Sequence, residues 1–185
     1  MSDENIQVLQ LTFDAQQMGA PLQHEIKVDG VSSLQTAGRF AGSYILFYGQ
    51  EMQIKVTAYC DAEVSIQLMD LALISTPVNV ASMKPLYDLS PYDTNSAGYI
   101  IRDWKPSEGP SPGNFRRHLD SLPSSDPQVK YFEAAHRPLI TVPNGLWQVS
   151  GYLSVKVSGL PDTDPYCRVY TFDPSVVVGG GGNPR

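Results

Sequence analysis

From Leu146 to Val157 the chain alternates. Trp147, Val149, Gly151, Leu153, Val155 and Val157 fall on one parity, and Gln148, Ser150, Tyr152, Ser154 and Lys156 fall on the other. A strand turns successive side chains to opposite faces, so this segment predicts one face in a core and one in water. The same period of two runs from Met52 to Tyr59 through Ile54, Val56 and Ala58. It returns from Asp61 to Leu68 through Ala62, Val64, Ile66 and Leu68. Only Cys60-Asp61 lies between these two runs, which predicts a hairpin. Ile6 to Phe13 is a strand whose parity slips between Ile6/Val8 and Leu9/Leu11/Phe13, as a bulge or burial on both faces would produce. Gln23 to Val28 alternates weakly. Gly38 to Tyr48 ends in the continuous run Tyr44-Ile45-Leu46-Phe47-Tyr48, which suits a central strand covered on both sides.

Further strands are expected at Ala97–Trp104, Lys130–Ala134, Leu139–Val142, Tyr166–Phe172 and Ser175–Val178, while Leu68 to Ile74 reads as a strand or a short helix. Pro143-Asn144-Gly145 and Asp173-Pro174 punctuate the C-terminal part. Between Met83 and Pro138 the texture changes: Pro85, Pro91, Pro106, Pro110, Pro112, Pro123, Pro127 and Pro138 all fall there. Proline removes a ladder donor, so this region is expected to be long loops and edge strands. No long stretch carries the helical period. Short strands between Gly and Pro turns predict an all-β fold, a two-sheet antiparallel β-sandwich of jelly-roll type, with a closed barrel as the alternative. One domain over 1–178 is expected, followed by a flexible Gly-rich tail, 179–185.

Composition narrows the partners. The 185 residues include 17% charged and 42% hydrophobic residues, with a net charge of −6. Nucleic acid and anionic membranes demand clustered Lys and Arg. Here the basic residues are scattered, and Arg116-Arg117 is the only adjacent pair of arginines. No run reaches the roughly 18 apolar residues of a membrane-spanning helix. The opening MSDENIQVLQL lacks a basic stretch followed by an apolar one, so no secretory signal is expected and the cytosol is the expected compartment. Cys60 and Cys167 are the only cysteines. They are expected as reduced, partly buried thiols, with a disulfide between neighbouring strands as the alternative.

Chemistry-bearing motifs are sparse. There is no Gly-x-Ser-x-Gly string, and His24, His118 and His136 have no partner at ligand spacing; after His24-Glu25 a zincin would need a histidine where Val28 stands. Asp162-Thr163-Asp164 and the Asp88, Asp93, Asn95 group carry oxygens of the kind Ca²⁺ takes. Neither matches the EF-hand string, and Asp, Asn and Ser favour turns for conformational reasons. No cofactor and no metal is therefore expected, with calcium as the open alternative. The central region is rich in rings: Tyr87, Tyr92, Tyr99, Trp104, Phe115, Tyr131 and Phe132. Flat rings beside Asp and Asn suit sugar or protein recognition, which makes Tyr92, Asp93, Asn95, Tyr99 and Trp104 the candidate ligand-binding set. The competing reading is that these rings plug the ends of the sandwich.

The two ends of the chain carry a resemblance. Ile6-Gln7-Val8-Leu9 followed by Asp14 resembles the opening strand of the bacterial AidA/PixA-type inclusion body proteins. Gly151-Tyr152-Leu153 and Tyr170-Thr171-Phe172-Asp173-Pro174-Ser175-Val176-Val177-Val178 resemble that family's closing strand. The resemblance implies a non-enzymatic all-β protein, a self-associating one with the homodimer as default. It also implies accumulation in intracellular inclusions and lectin-like or host-surface recognition, with no catalytic residues. Two other expectations stand beside it. One is a carbohydrate-active hydrolase on a jelly roll using Asp88, Asp93 or Asp103; the other is a structural assembly module.

Overall fold

The computed structural model describes residues 6–78, 90–93, 98–109, 127–142, 145–160 and 163–179. Asp88, Asn95, His118, Asp162 and the tail beyond Gly179 lie outside them. Every regular element among the described residues is a strand. In chain order they are β1 (Gln7–Asp14), β2 (Gln23–Val28), β3 (Val31–Ser32), β4 (Ser43–Phe47), β5 (Met52–Asp61) and β6 (Ser65–Pro77). They continue with β7 (Gly98–Ile101), β8 (Trp104–Pro106), β9 (Pro127–Ala134), β10 (Gly145–Ser158), β11 (Tyr166–Phe172) and β12 (Ser175–Gly179). No helix among them is long and apolar enough to cross a membrane.

Two sheets pack face to face around one core. Sheet A has the order β3-β2-β1-β5-β9-β8, and sheet B the order β4-β12-β10-β6-β7 with β11 also on β10. The result is the expected β-sandwich and not a closed barrel. Most pairings are antiparallel, but β1–β5 and β12–β4 are parallel, so both sheets are mixed. The alternating parities supply the interior. Leu9, Leu11 and Phe13 of β1 and Ile54, Val56 and Ala58 of β5 face Leu71 and Leu73 of β6 and Val149, Leu153, Val155 and Val157 of β10, all buried in one cluster.

Three local expectations are corrected. Cys60-Asp61 does not join a hairpin: β5 lies in sheet A and β6 in sheet B, so the turn after Asp61 carries the chain around a corner between the sheets. Val64 N donates to Asp61 O at 3.0 Å there, and Cys60 and Val64 both point into the core. The parity slip in β1 is no bulge, since its register with β2 and β5 is unbroken. Instead Gln7 occupies a core-facing position, fully buried. Its amide donates to Phe47 O at 3.3 Å and accepts from Phe47 N at 2.7 Å, so the buried polar group is satisfied from both sides. Finally, β4 ends the strand order of sheet B. It is not the central strand expected; its outer flank is covered by 33–35, where Gln35 N donates to Ser43 O at 2.9 Å, and its side chains are buried or half-buried.

The last two strands behave as one. Gly151 pairs with Phe172 and Gln148 with Ser175 in the same register. Pro174 interrupts the ladder because it has no N–H, yet its carbonyl still accepts from Val149 N at 2.9 Å. Gly179 belongs to β12, so the regular structure runs one residue past the expected domain boundary.

Candidate functional site

The candidate ligand set from the central region divides in the structure. Residues 90–93 run beside 139–141: Asp93 N donates to Leu139 O at 2.9 Å, Leu139 N donates to Asp93 Oδ1 at 3.1 Å, and Thr141 N donates to Pro91 O at 3.0 Å. On the other flank, Ile140 N donates to Gln50 O at 3.0 Å. This three-segment cap closes one end of the sandwich. Within it Tyr92 is 2% exposed, and burial drives its phenol far above the ordinary range. Its ring lies 6.0 Å from that of half-buried Tyr99. Burial also raises the Tyr99 phenol, and the Asp93 charge adds to that. Trp104 lies apart from this cap. Its indole N–H donates to Met69 O at 3.1 Å, joining β8 of sheet A to β6 of sheet B. Tyr92, Asp93 and Tyr99 are thus brought together, Trp104 stitches the sheets, and Asn95 lies outside the described residues.

Beside Tyr99 a cleft of about 290 Å³ is lined by Ile100, Ile101, Arg102, Asp103 and His136. His136 Nε2 lies 3.5 Å from Asp103 Oδ2, both well exposed, and exposed pairs contribute little. A glycosidase needs two carboxylates across a cleft. Of the named candidates, Asp103 faces His136, Asp93 is bonded to the Leu139 backbone and Asp88 is not described. Among the described residues no group of three or more His, Cys, Asp or Glu is placed to hold a metal ion. Cys60 is buried and Cys167 exposed, and the two are not bonded.

The opposite edge holds a larger cleft, about 550 Å³, lined by Pro21, Leu22, His24, Ser150, Gly151, Tyr152, Thr171, Phe172 and Asp173. Main-chain hydrogen bonds stitch the two sheets on either side of it. On one side Leu22 N donates to Thr171 O at 2.8 Å and Thr171 N to Ala20 O at 2.9 Å. On the other, Ser33 takes part in both sheets, donating to Ile26 O at 2.8 Å and accepting from Ile45 N at 3.2 Å. His24 sits in the window between, its ring 5.6 Å from Phe172 and 6.0 Å from Tyr44. Burial lowers its pKa below the ordinary histidine value, while a hydrogen bond to the Leu22 backbone and the Asp173 charge pull the other way. Phe172 lies directly over Gly151, where any Cβ would overlap three of its ring carbons. Only glycine permits that close approach.

The outer faces of the sheets differ in chemistry. Sheet A carries a polar ladder. Lys27 Nζ lies 3.2 Å from Glu25 Oε2 and donates to Gln10 Oε1, and Glu133 accepts from Gln53 and pairs with Arg137 at 3.3 Å. Burial works to raise the Glu133 carboxyl, but those two hydrogen bonds and the charges of Lys55 and Arg137 hold it below its ordinary value. Sheet B presents a largely apolar row instead, beside the exposed Arg102–Asp70 ion pair at 3.3 Å. Ile100 pairs with Ala72, Ala72 with Tyr152, and Tyr152 with Thr171. Ile74 and Val169 lie on adjoining rows. Ile100 is 58% exposed, Val169 50%, Ile74 43% and Tyr152 41%.

Sequence reading missed the His24 cleft because its walls come from β2, β10 and β11, far apart in the chain. The available signals were Tyr152, a ring on the polar parity of β10, and the Asp173-Pro174 break. Comparison with family models, curated proteins and solved structures returned no match.

Proposed function

We propose that this chain is a non-enzymatic assembly protein whose β-sandwich associates with further copies of itself through the outer face of sheet B. The observation that carries the reading is a difference between faces: a hydrogen-bonded, charged ladder on sheet A, and on sheet B the exposed side chains of Ile74, Ile100, Tyr152 and Val169 on three successive rows, bordered by the Arg102–Asp70 pair. Contiguous apolar surface of this kind marks interaction sites. Strands lie about 4.8 Å apart and rise about 3.3 Å per residue, so four strands over about eight residues offer a footprint of roughly 500 Å². That is of the order a standard interface covers on each partner, about 800 Å² of accessible surface.

The energetics favour weak, additive contacts. Burying the exposed half of each of four side chains is worth about 1 kcal/mol apiece, so two copies gain roughly 8 kcal/mol. Association itself costs about 4–15 kcal/mol. At the low end of that cost the net is about −4 kcal/mol, a concentration-dependent dimer with Kd of about 1 mM, which suits a protein working at high local density. The resemblance to the AidA/PixA-type proteins supports the same reading, with cytoplasmic inclusions as the setting and glycan or host-surface recognition as a further role.

Sedimentation velocity from about 10 µM to about 1 mM tests the proposal. Wild type is expected to shift toward dimer over that range, and the double variant Ile100→Lys/Tyr152→Lys to stay monomeric with unchanged circular dichroism. A wild-type protein monomeric throughout, or a double variant that dimerises equally well, would refute it.

A further inference from the structure

We infer that the cleft beside His24 is a binding site for a small organic cation, an alkylammonium bearing an apolar or aromatic stem. Its nine lining residues include neither Lys nor Arg, and their one carboxylate is Asp173. Among the described residues no hydrogen bond or ion pair engages that carboxylate, whereas Asp93 is held by Leu139 N and Asp70 by Arg102. The cleft therefore carries at its mouth a solvent-exposed carboxylate with no internal partner, on a chain whose net charge is already −6.

The neutral groups around it donate as well as accept, so the preference for a cation rests on Asp173. A neutral imidazole has one donor and one acceptor nitrogen. The Leu22 backbone and the charge of Asp173 both favour the protonated His24 ring, against its burial. Ser150, Thr171 and Tyr152 add hydroxyl oxygens. An ammonium group supplies three N–H donors to such a set, while a carboxylate or phosphate would meet repulsion from Asp173. Phe172 supplies the stem's contact on the cleft side, beside the His24 ring at 5.6 Å, and ring faces attract cations.

The cleft is also built before any ligand arrives. The Leu22–Thr171 hydrogen bond fixes one wall, and the Phe172–Gly151 contact fixes its floor. A preformed site avoids the cost of ordering its walls on binding. Its volume of about 550 Å³ lies within the range of small-molecule sites, about 300–1,000 Å³.

The test is a charge series on the wild-type protein: benzylammonium, benzyl alcohol, benzoate and a methyl pyranoside, followed by calorimetry and backbone amide shifts. To separate this site from self-association, the series is repeated on Ile100→Lys, which leaves the cleft intact. Benzylammonium is expected to bind saturably in roughly the millimolar range, with shifts centred on Gly151, Tyr152 and Thr171 in both proteins. Benzyl alcohol and benzoate are expected to bind at least tenfold more weakly. Asp173→Asn, which removes no internal bond, is expected to abolish the preference for the ammonium. Equal binding of alcohol and ammonium, undiminished binding by Asp173→Asn, shifts confined to another face, or tighter binding of the pyranoside would each overturn the assignment.

Discussion

Replacing Gly151 with Ala tests the packing at the centre of the larger cleft. Gly151 lies on the core-facing parity of β10, opposite Phe172 of β11. A methyl group there would come within 3.0 Å of three Phe172 ring carbons, so the ring must move. It has little room: Phe172 is 5% exposed and His24 stands 5.6 Å away on the cleft side. Overpacking of this kind costs about 1–3 kcal/mol. Alanine offsets part of that, since Gly→Ala at a compatible backbone lowers the entropy of the unfolded chain by about 0.4–1 kcal/mol. A net loss of about 1–2 kcal/mol follows. For a domain of this size each kcal/mol shifts Tm by about 2–4 °C, so a fall of about 2–8 °C is expected. Urea unfolding provides the assay: the midpoint should drop with the slope unchanged. Combining Gly151→Ala with Phe172→Leu should cost less than the sum of the two single changes, because the smaller side chain vacates the overlapped space. A Gly151→Ala protein as stable as wild type, or strict additivity in the double variant, would refute the proposed contact.

Two further outcomes follow from the same structure. Because burial lowers the His24 pKa in the folded state, the unfolded chain binds the proton more readily; the resulting stability is present above about pH 6.5 and is lost as pH falls through the lower folded value. Urea midpoints at acid and neutral pH should therefore show a dependence that His24→Gln reduces, and an identical pH profile in the variant would count against it. Cys167 is exposed and Cys60 is 0% exposed, so a thiol reagent should titrate one equivalent in the native protein and a second only after denaturation; two rapidly reacting thiols would contradict the burial of Cys60.

The layers of the fold were legible where side-chain alternation is unbroken. β10 is the plain case, because both neighbours and the opposite sheet read the same parity. Alternation does not say which strand lies beside which. The two-residue gap at Cys60-Asp61 reads alike for a hairpin and for a corner between sheets. The difference lies in which partners β5 and β6 find far along the chain, β9 and β10. Gln7 misled for a different reason: a polar residue can hold a core position when its amide is bonded at both ends, and sequence does not display the Phe47 backbone that bonds it. Among the candidate site residues, the ring-rich composition near Tyr92 and Tyr99 was visible, but burial decides whether a ring plugs or receives. The His24 cleft depended on residues of β2 and β11 meeting across the sandwich edge, which no local window contains.

Both outermost strands in sequence are inner strands in space. β1 lies between β2 and β5, and β12 lies between β4 and β10. During synthesis, residues 43–47 must wait for 175–179 before they gain their ladder partner, so sheet B keeps a vacant slot until more than 120 further residues have left the ribosome. Partners so remote along the chain make for slow folding. A nascent chain holding such a slot open exposes unpaired edges to its neighbours on the polysome, where a strand from another copy could fill the gap as well as its own.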